Sequence, residues 1–109
     1  MKCSEIITLL EQEYGKEYAC DWDNVGLLAG RRDKEVKKIL LALDATDEVV
    51  GQAAEGAYDM LITHHPMIFG AIKRVTDEDM VGRRLLSLIR SDISYYAMHT
   101  NYDTRGMAD

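Results

Sequence analysis

The middle of the chain holds an unbroken apolar run, Ile39-Leu40-Leu41-Ala42-Leu43. Such a run is typical of a strand that is buried on both faces, as in a parallel sheet. Two further apolar stretches, residues 58–63 and 93–98, read as strands, and a helical segment separates each neighbouring pair. Strand–helix–strand connections of this length predict parallel strands with right-handed crossovers. We therefore predict an α/β fold with a parallel-rich sheet and flanking helices.

Three helices are predicted around this sheet. The first has Ser4 as a candidate N-cap, and the second is capped by Thr46 or Asp47 and ends at Gly56. The third covers residues 79–90, with an apolar stripe formed by Met80, Val81, Leu85, Leu88 and Ile89. The apolar face of the first helix is formed by Ile6, Ile7, Leu10 and Tyr14. Tyrosines and methionines elsewhere are interpreted as core and rim residues.

The composition limits the classes of partner. The chain has 13 basic and 19 acidic residues, a net charge of −6, whereas duplex nucleic acid and anionic membranes favour a positive surface. No apolar run approaches the ~20 residues that a membrane helix needs. Cys3 and Cys20 are too few for a disulfide framework, and the first residues are typical of an amphipathic helix rather than a signal peptide. We expect a cytoplasmic protein with no nucleic acid duplex or membrane as partner.

Chemically active residues follow each predicted strand. The first strand runs into Asp44, the second into His64 and His65, and the third into His99 and then Asp103. In open parallel sheets, ligands bind beyond the carboxyl ends of the strands. We therefore predict that all three histidines of the chain meet at one edge of the sheet.

The segment Thr63-His64-His65-Pro66 is the centre of this prediction. Adjacent histidines project in different directions, so they suit two neighbouring metals, or one ligand and one base. Pro66 favours an extended backbone at His65. Imidazole with carboxylate favours zinc, iron, manganese or cobalt over calcium. The alternative is that both histidines are hydrogen-bonded turn residues that hold no metal.

Three further residues extend the predicted site. Asp103 is a candidate metal ligand, because a carboxylate can bridge two cations. His99 is predicted as the catalytic base, and a metal ligand or a residue that orients Asp103 are its alternative roles. For Asp44 we favour helix capping together with Thr46 over a role in the site.

Four ordered segments resemble a known family, and they read Asp21-Trp22-Asp23-Asn24-Val25-Gly26-Leu27-Leu28, Ala42-Leu43-Asp44-Ala45-Thr46, Leu61-Ile62-Thr63-His64-His65-Pro66-Met67-Ile68-Phe69 and Ala97-Met98-His99-Thr100-Asn101-Tyr102-Asp103. Together they resemble the N-terminal half of the NIF-three-like family, whose members are often named GTP cyclohydrolase I type 2 homologues. The resemblance covers essentially the whole chain. It implies a three-layer α/β fold with a dinuclear metal centre, in a homo-oligomer that is usually a ring-shaped hexamer. Residues 1–109 would then form one α/β domain, the N-terminal part of a longer protein.

The resemblance also assigns residues. His64, His65 and Asp103 match three of the family's metal ligands, and His99 matches a histidine near the metals. Family members are longer, and a His and a Glu near their C-terminus complete the site, so we expect an incomplete site with one or two divalent transition metal ions per chain. Three functions stay open: a metal-binding or assembly module, a metal-dependent hydrolase of a nucleotide or other phosphorylated small molecule, and an inert fragment.

Overall fold

Helices and strands alternate along most of the chain. The computed structural model describes residues 1–13, 15, 24–68 and 72–98. Within these ranges the elements are α1 (Cys3–Glu13), β1 (Gly26–Ala29), β2 (Ile39–Ala42), α2 (Asp47–Glu55), β3 (Met60–Thr63), α3 (Met80–Arg90) and β4 (Ser94–Ala97). None of these helices is long and apolar enough to cross a membrane.

The strands form one mixed sheet in the order β1-β4-β3-β2. β2, β3 and β4 are mutually parallel, which confirms the predicted parallel-rich α/β fold. The register pairs Ala42 with Thr63 and Thr63 with Ala97, so the three parallel strands end at the same level. β1 pairs antiparallel with β4 and has no counterpart among the predicted strands. It is four residues long, and Gly26 and Gly30 adopt the positive φ angles of 103° and 99° at its two ends.

Helices pack on both faces of the sheet. On one face, α2 and α3 contact buried side chains of β3 and β4, in a cluster formed by Ala45, Val50, Ala53, Leu61, Leu88, Ile93, Tyr95 and Ala97. On the other face lies α1, in a cluster formed by Cys3, Ile7, Val36, Met60, Ile62 and Tyr96. Neighbouring residues of a strand alternate between the two clusters, as the pleat requires. The predicted flanking helices are therefore confirmed.

The prediction that the run at residues 39–43 is buried on both faces is wrong. Leu40 packs against the α2–α3 side of the core, but Leu41 is 71% exposed and Leu43 is 61% exposed. β2 is one of the two edge strands of the described sheet, and α1 covers residues of β3 and β4 instead. A strand packed on one face only shows this alternation of burial even when its sequence is apolar throughout.

The helix termini follow local capping chemistry. The Thr46 hydroxyl accepts the amide of Val49 at 3.1 Å, so Thr46 rather than Asp47 caps α2. The prediction that Ser4 caps the first helix is wrong, because α1 begins at Cys3. Lys2 precedes it, and its backbone amide donates to the Glu5 carboxylate at 2.7 Å. Tyr14 lies outside the described residues.

The third helix is shorter by one residue than predicted. Fewer residues of its predicted apolar stripe are buried. Asp79 is its N-cap, since its carboxylate accepts the amide of Gly82 at 2.6 Å. Leu85 and Leu88 are buried, whereas Met80 and Ile89 are about half exposed. On a helical wheel Met80 and Ile89 lie about 110° and about 70° from the line through Leu85 and Leu88, so they flank the buried face and do not form part of it.

Candidate metal centre

The two adjacent histidines lie just beyond the carboxyl end of β3. Their amides continue the pairing with the segment that leaves β2: His64 N donates to Ala42 O at 3.3 Å, and His65 N donates to Leu43 O at 3.0 Å. These two bonds carry the chain along the extension of β2, towards Asp44. The structure therefore brings Asp44, His64 and His65 to the same edge of the sheet, where the strand-end pattern predicts them.

The carboxylate of Asp44 contacts the ring of His65. Oδ1 of Asp44 lies 2.7 Å from Nδ1 of His65. Because an ionised carboxylate only accepts hydrogen bonds, Nδ1 carries the proton, and in the neutral ring the lone pair is on Nε2. The side chain of His65 is 41% exposed and that of Asp44 is 51% exposed, so water screens the pair, and the contact orients the ring more than it stabilises the fold. Thr46 caps α2 and Asp44 contacts His65, so the favoured capping role of Asp44 is wrong.

His64 lies against its neighbour and beside a small apolar cavity. The centroids of the two imidazole rings are 4.8 Å apart, and their planes are inclined at 66°. The cavity measures about 200 Å³ and is lined by Leu41, Ala42, Ile62, Thr63, His64 and Met98. The two rings therefore lie side by side in an edge-to-face contact.

Two buried hydroxyl groups lie beneath the turn that follows β3. The Tyr95 hydroxyl is 2.8 Å from the hydroxyl of Thr63 and accepts the backbone amide of Met67 at 3.0 Å. Burial raises the pKa of Tyr95 above its ordinary value, although these two hydrogen bonds oppose the shift, so the group stays protonated at neutral pH. Sequence reasoning missed Tyr95 by interpreting it as a core residue. Its signal is a hydroxyl on the strand next to the histidines.

The remaining predicted site residues, His99 and Asp103, lie outside the described residues. β4 ends at Ala97 beside Thr63, so the chain leaves the sheet at the edge that carries the other two histidines. Among the residues that the structure describes, no three His, Cys, Asp or Glu side chains are grouped so as to hold one metal ion. Asp44 uses its carboxylate to orient His65. The roles of His64 and His65 as metal ligands stay predictions.

Comparison with known proteins identifies the family. The sequence matches the Duf34/NIF3 (NGG1p interacting factor 3) family over residues 1–109. The chain belongs to this family. Its fold is similar to that of a Staphylococcus aureus crystal structure, with a TM-score of 0.89, 44% identity, and coverage of 94% of this chain and 33% of the other. It is also similar to reduced HcgD from Methanocaldococcus jannaschii, with a TM-score of 0.85, 38% identity, and coverage of 94% of this chain and 41% of HcgD.

Curated relatives of the chain are considerably longer. A GTP cyclohydrolase 1 type 2 homolog from Clostridium perfringens is 41% identical over 104 residues, which are 95% of this chain and 40% of the relative. A protein of the same name from Staphylococcus aureus is 47% identical over 105 residues, which are 94% of this chain and 28% of the relative. The chain therefore spans less than half the length of these relatives.

Proposed function

We propose that the protein binds a divalent transition metal ion, namely zinc, iron or manganese, beyond the carboxyl end of β3. The observation that carries this proposal is the 2.7 Å contact between Asp44 Oδ1 and His65 Nδ1. Histidines that ligate metals commonly donate their second ring nitrogen to a carboxylate, which fixes both the tautomer and the ring direction. The donor set also fits, because imidazole and carboxylate groups suit borderline divalent metals.

The proposed ligands are His64, His65 and Asp103, for one or two ions per chain. The two imidazole rings lie 4.8 Å apart with their planes inclined at 66°, so they supply donors to one ion or to two neighbouring ions. Asp103 would supply a further ligand, since a carboxylate offers oxygen donors and offsets part of the positive charge. In this arrangement Asp44 holds the ring of His65 and is not itself a ligand.

A second candidate is metal-dependent hydrolysis of a nucleotide or another phosphorylated small molecule. The name that both curated relatives carry, GTP cyclohydrolase 1 type 2 homolog, supports it. A divalent cation bound at the site supplies Lewis-acid chemistry, which activates water and neutralises developing negative charge. His99 is proposed to accept the proton of the attacking water. Asp44 would keep the imidazole of His65 in one orientation throughout.

Metal content tests the first proposal. We would purify the untagged protein without chelators, reconstitute it with zinc, iron or manganese, and measure bound metal by plasma mass spectrometry. We expect about one or two equivalents per chain, lost in His65→Ala. Asp47→Ala is the control, because Asp47 pairs with Arg84 on the helix pair rather than with a histidine, and it should retain the metal. Absence of metal from the reconstituted wild-type protein would refute the proposal.

Turnover separates the enzyme from a metal-binding module. We would screen the reconstituted protein against nucleoside triphosphates and simple phosphate esters, and compare it with His99→Ala. A hydrolytic rate that His99→Ala abolishes while metal content is unchanged supports the enzyme. Metal binding without turnover on any of these substrates supports the module instead. If the protein neither binds metal nor hydrolyses any of these substrates, the third function, an inert fragment, is supported.

A further inference from the structure

The backbone of the turn that carries the two histidines rests on two buried hydroxyl groups. We call residues His64–Met67 the histidine turn. Tyr95 has no exposed surface and Thr63 is 1% exposed. They lie on the adjacent parallel strands β4 and β3 and face the same side of the sheet. Their hydroxyls meet at 2.8 Å, directly beneath the turn.

Both hydroxyls bond to backbone atoms of the histidine turn. The carbonyl oxygen of His65 lies 2.8 Å from the Thr63 hydroxyl and 3.2 Å from the Tyr95 hydroxyl. The amide of Met67 donates to the Tyr95 oxygen at 3.0 Å. The pair therefore bonds the chain on both sides of Pro66, which has no amide proton of its own to donate.

The two hydroxyl protons can be placed in two ways, and both keep the histidine turn hydrogen-bonded to the pair. In one, Thr63 donates to the His65 carbonyl and Tyr95 donates to Thr63. In the other, Tyr95 donates to the carbonyl and Thr63 donates to Tyr95. In each arrangement the carbonyl of His65 receives a hydroxyl proton and the Met67 amide keeps its acceptor. Loss of the tyrosine hydroxyl removes that acceptor in either case.

We propose that Tyr95 and Thr63 are positioning residues that hold the histidine turn in one backbone conformation and thereby fix the direction of both imidazole rings. This inference rests on the proposed metal binding, but the holding of the turn is a property of the metal-free chain as well. The two residues contact neither imidazole ring through these bonds, and they act through the backbone to which the rings are attached. Asp44 fixes the ring of His65 from one side, and the hydroxyl pair fixes its carbonyl from below.

The test compares tyrosine-to-phenylalanine changes at two consecutive residues. Tyr95→Phe removes the hydroxyl beneath the turn. Tyr96→Phe removes the same atom from an equally buried tyrosine on the opposite face, where the hydroxyl contacts Glu11 at 3.4 Å. We would measure Co²⁺ affinity by competition with a chelating dye, together with the visible absorption of bound Co²⁺. Tyr95→Phe should weaken binding about 10- to 100-fold and alter the spectrum, and Tyr96→Phe should change neither.

Threonine variants give an independent route if Tyr95→Phe does not fold. Thr63→Val keeps the shape and removes the hydroxyl, whereas Thr63→Ser keeps the hydroxyl and should preserve wild-type affinity and spectrum. Thr63→Val should behave like Tyr95→Phe. The inference is overturned if both hydroxyl-deleting variants keep wild-type Co²⁺ affinity and spectrum, or if Tyr96→Phe loses as much as Tyr95→Phe.

Amide hydrogen exchange tests, in the metal-free protein, whether the hydroxyl pair holds the histidine turn. In the metal-free protein, exchange of the Met67 amide should accelerate at least about tenfold in Tyr95→Phe and keep its wild-type rate in Tyr96→Phe. If the wild-type protein binds no Co²⁺, the proposed function is refuted. The exchange rate of the Met67 amide still tests whether the hydroxyl pair holds the turn. An unchanged Met67 exchange rate in Tyr95→Phe overturns the inference even where the metal binds.

Discussion

The carboxylate of Asp44 meets Nδ1 of His65 at 2.7 Å, so a change at this one residue acts on a proposed metal ligand. We expect Asp44→Ala to weaken zinc binding about 10- to 100-fold, because the ring loses the acceptor that fixes its tautomer and direction. Asp44→Asn should lose less, since an amide oxygen still accepts a hydrogen bond. Calorimetric titration with zinc measures both.

A second acidic residue controls for the loss of charge. Asp33 pairs with Arg31 at 3.0 Å, and its side chain is 77% exposed. Asp33→Ala should therefore keep wild-type zinc affinity. Equal losses in the Asp44 and Asp33 variants would show that net charge, rather than orientation of His65, governs the affinity.

We expect the stability of the protein at alkaline pH to depend on the buried side chain of Tyr96. Burial raises its pKa above the ordinary value of 10.0, and the neighbouring Glu11 carboxylate adds to the shift. The unfolded chain loses this proton near pH 10 while the folded protein still holds it, so the free energy of unfolding falls as pH rises above 10. Each pH unit there costs up to ~1.4 kcal/mol for such a group.

Urea unfolding from about pH 9 to 11 checks this expectation. Tyr96→Phe removes the titrating group, so its stability should decline less steeply with pH than that of the wild-type protein. Tyr95→Phe should flatten the profile as well, because burial also raises the pKa of Tyr95. A wild-type slope in both variants would contradict the assignment of the alkaline decline to these tyrosines.

Two helical glycines allow a prediction at the scale of the secondary-structure elements. A Cβ atom on Gly82, in the first turn of α3, would lie 1.9 Å from the carbonyl oxygen of Thr76. A Cβ atom on Gly51, in α2, would meet nothing within 4 Å. Gly82→Ala should therefore destabilise the protein by about 1–3 kcal/mol, because backbone must move to admit the methyl group. Gly51→Ala should stabilise it by roughly 0.5–1 kcal/mol through helix propensity.

Urea midpoints of the two alanine variants measure this difference directly. Both substitutions make the same chemical change within a helix, so each controls for the other. A Gly82→Ala protein at least as stable as the wild-type protein would show that the segment around Thr76 moves away without cost.

The elements with strong local signals are those that the sequence predicts. Thr46 and Asp79 have side chains that suit an N-cap, and the apolar content of β3 and β4 is sustained over a whole strand. β1 has no such signal, because the three residues between Gly26 and Gly30 are too few to show a period. Its position depends on pairing with distant β4. The exposure of Leu41 likewise depends on which strands α1 covers, and a run of apolar residues does not contain that information.

The same distinction applies to the candidate site. The parallel register places residues that follow β2 and β3 at one edge, so the meeting of Asp44 with the histidines is predictable from strand order. The choice between capping and contact with His65 is not, because an aspartate before a helix has the same local pattern in both roles. The sequence offers Tyr95 only as a tyrosine on a neighbouring strand, and its hydrogen bonds to the histidine turn are seen only in the structure. His99 and Asp103, outside the described residues, stay predictions.

At the scale of the whole molecule, an apolar edge along β2 stays exposed, because none of the described helices covers it. Ile39, Leu41 and Leu43 are 39%, 71% and 61% exposed, and they follow one another on the same face of the edge strand β2 and its extension. The curated relatives extend to more than twice the matched length. Contiguous exposed apolar side chains on a sheet edge favour association. The predicted homo-oligomer would bury this surface between copies of the chain.

Replacement of one leucine tests this expectation. Leu41→Lys should weaken self-association at least about tenfold, because a charge must be buried at the interface. Its free energy of unfolding should change by no more than about 0.5 kcal/mol, since the side chain is mostly exposed within the protomer. Sedimentation velocity over a range of protein concentrations measures the association, and urea unfolding measures the stability.

The control places the same charge on an exposed apolar side chain elsewhere on the surface. Leu9, on α1, is 54% exposed, and Leu9→Lys should associate like the wild-type protein. If Leu9→Lys disrupts association and Leu41→Lys does not, copies meet through α1 and the β2 edge is not the contact. If the wild-type protein sediments as a monomer at every concentration, the homo-oligomer is wrong for this chain. The apolar edge would then be left exposed in solution, which predicts poor solubility that Leu41→Lys improves.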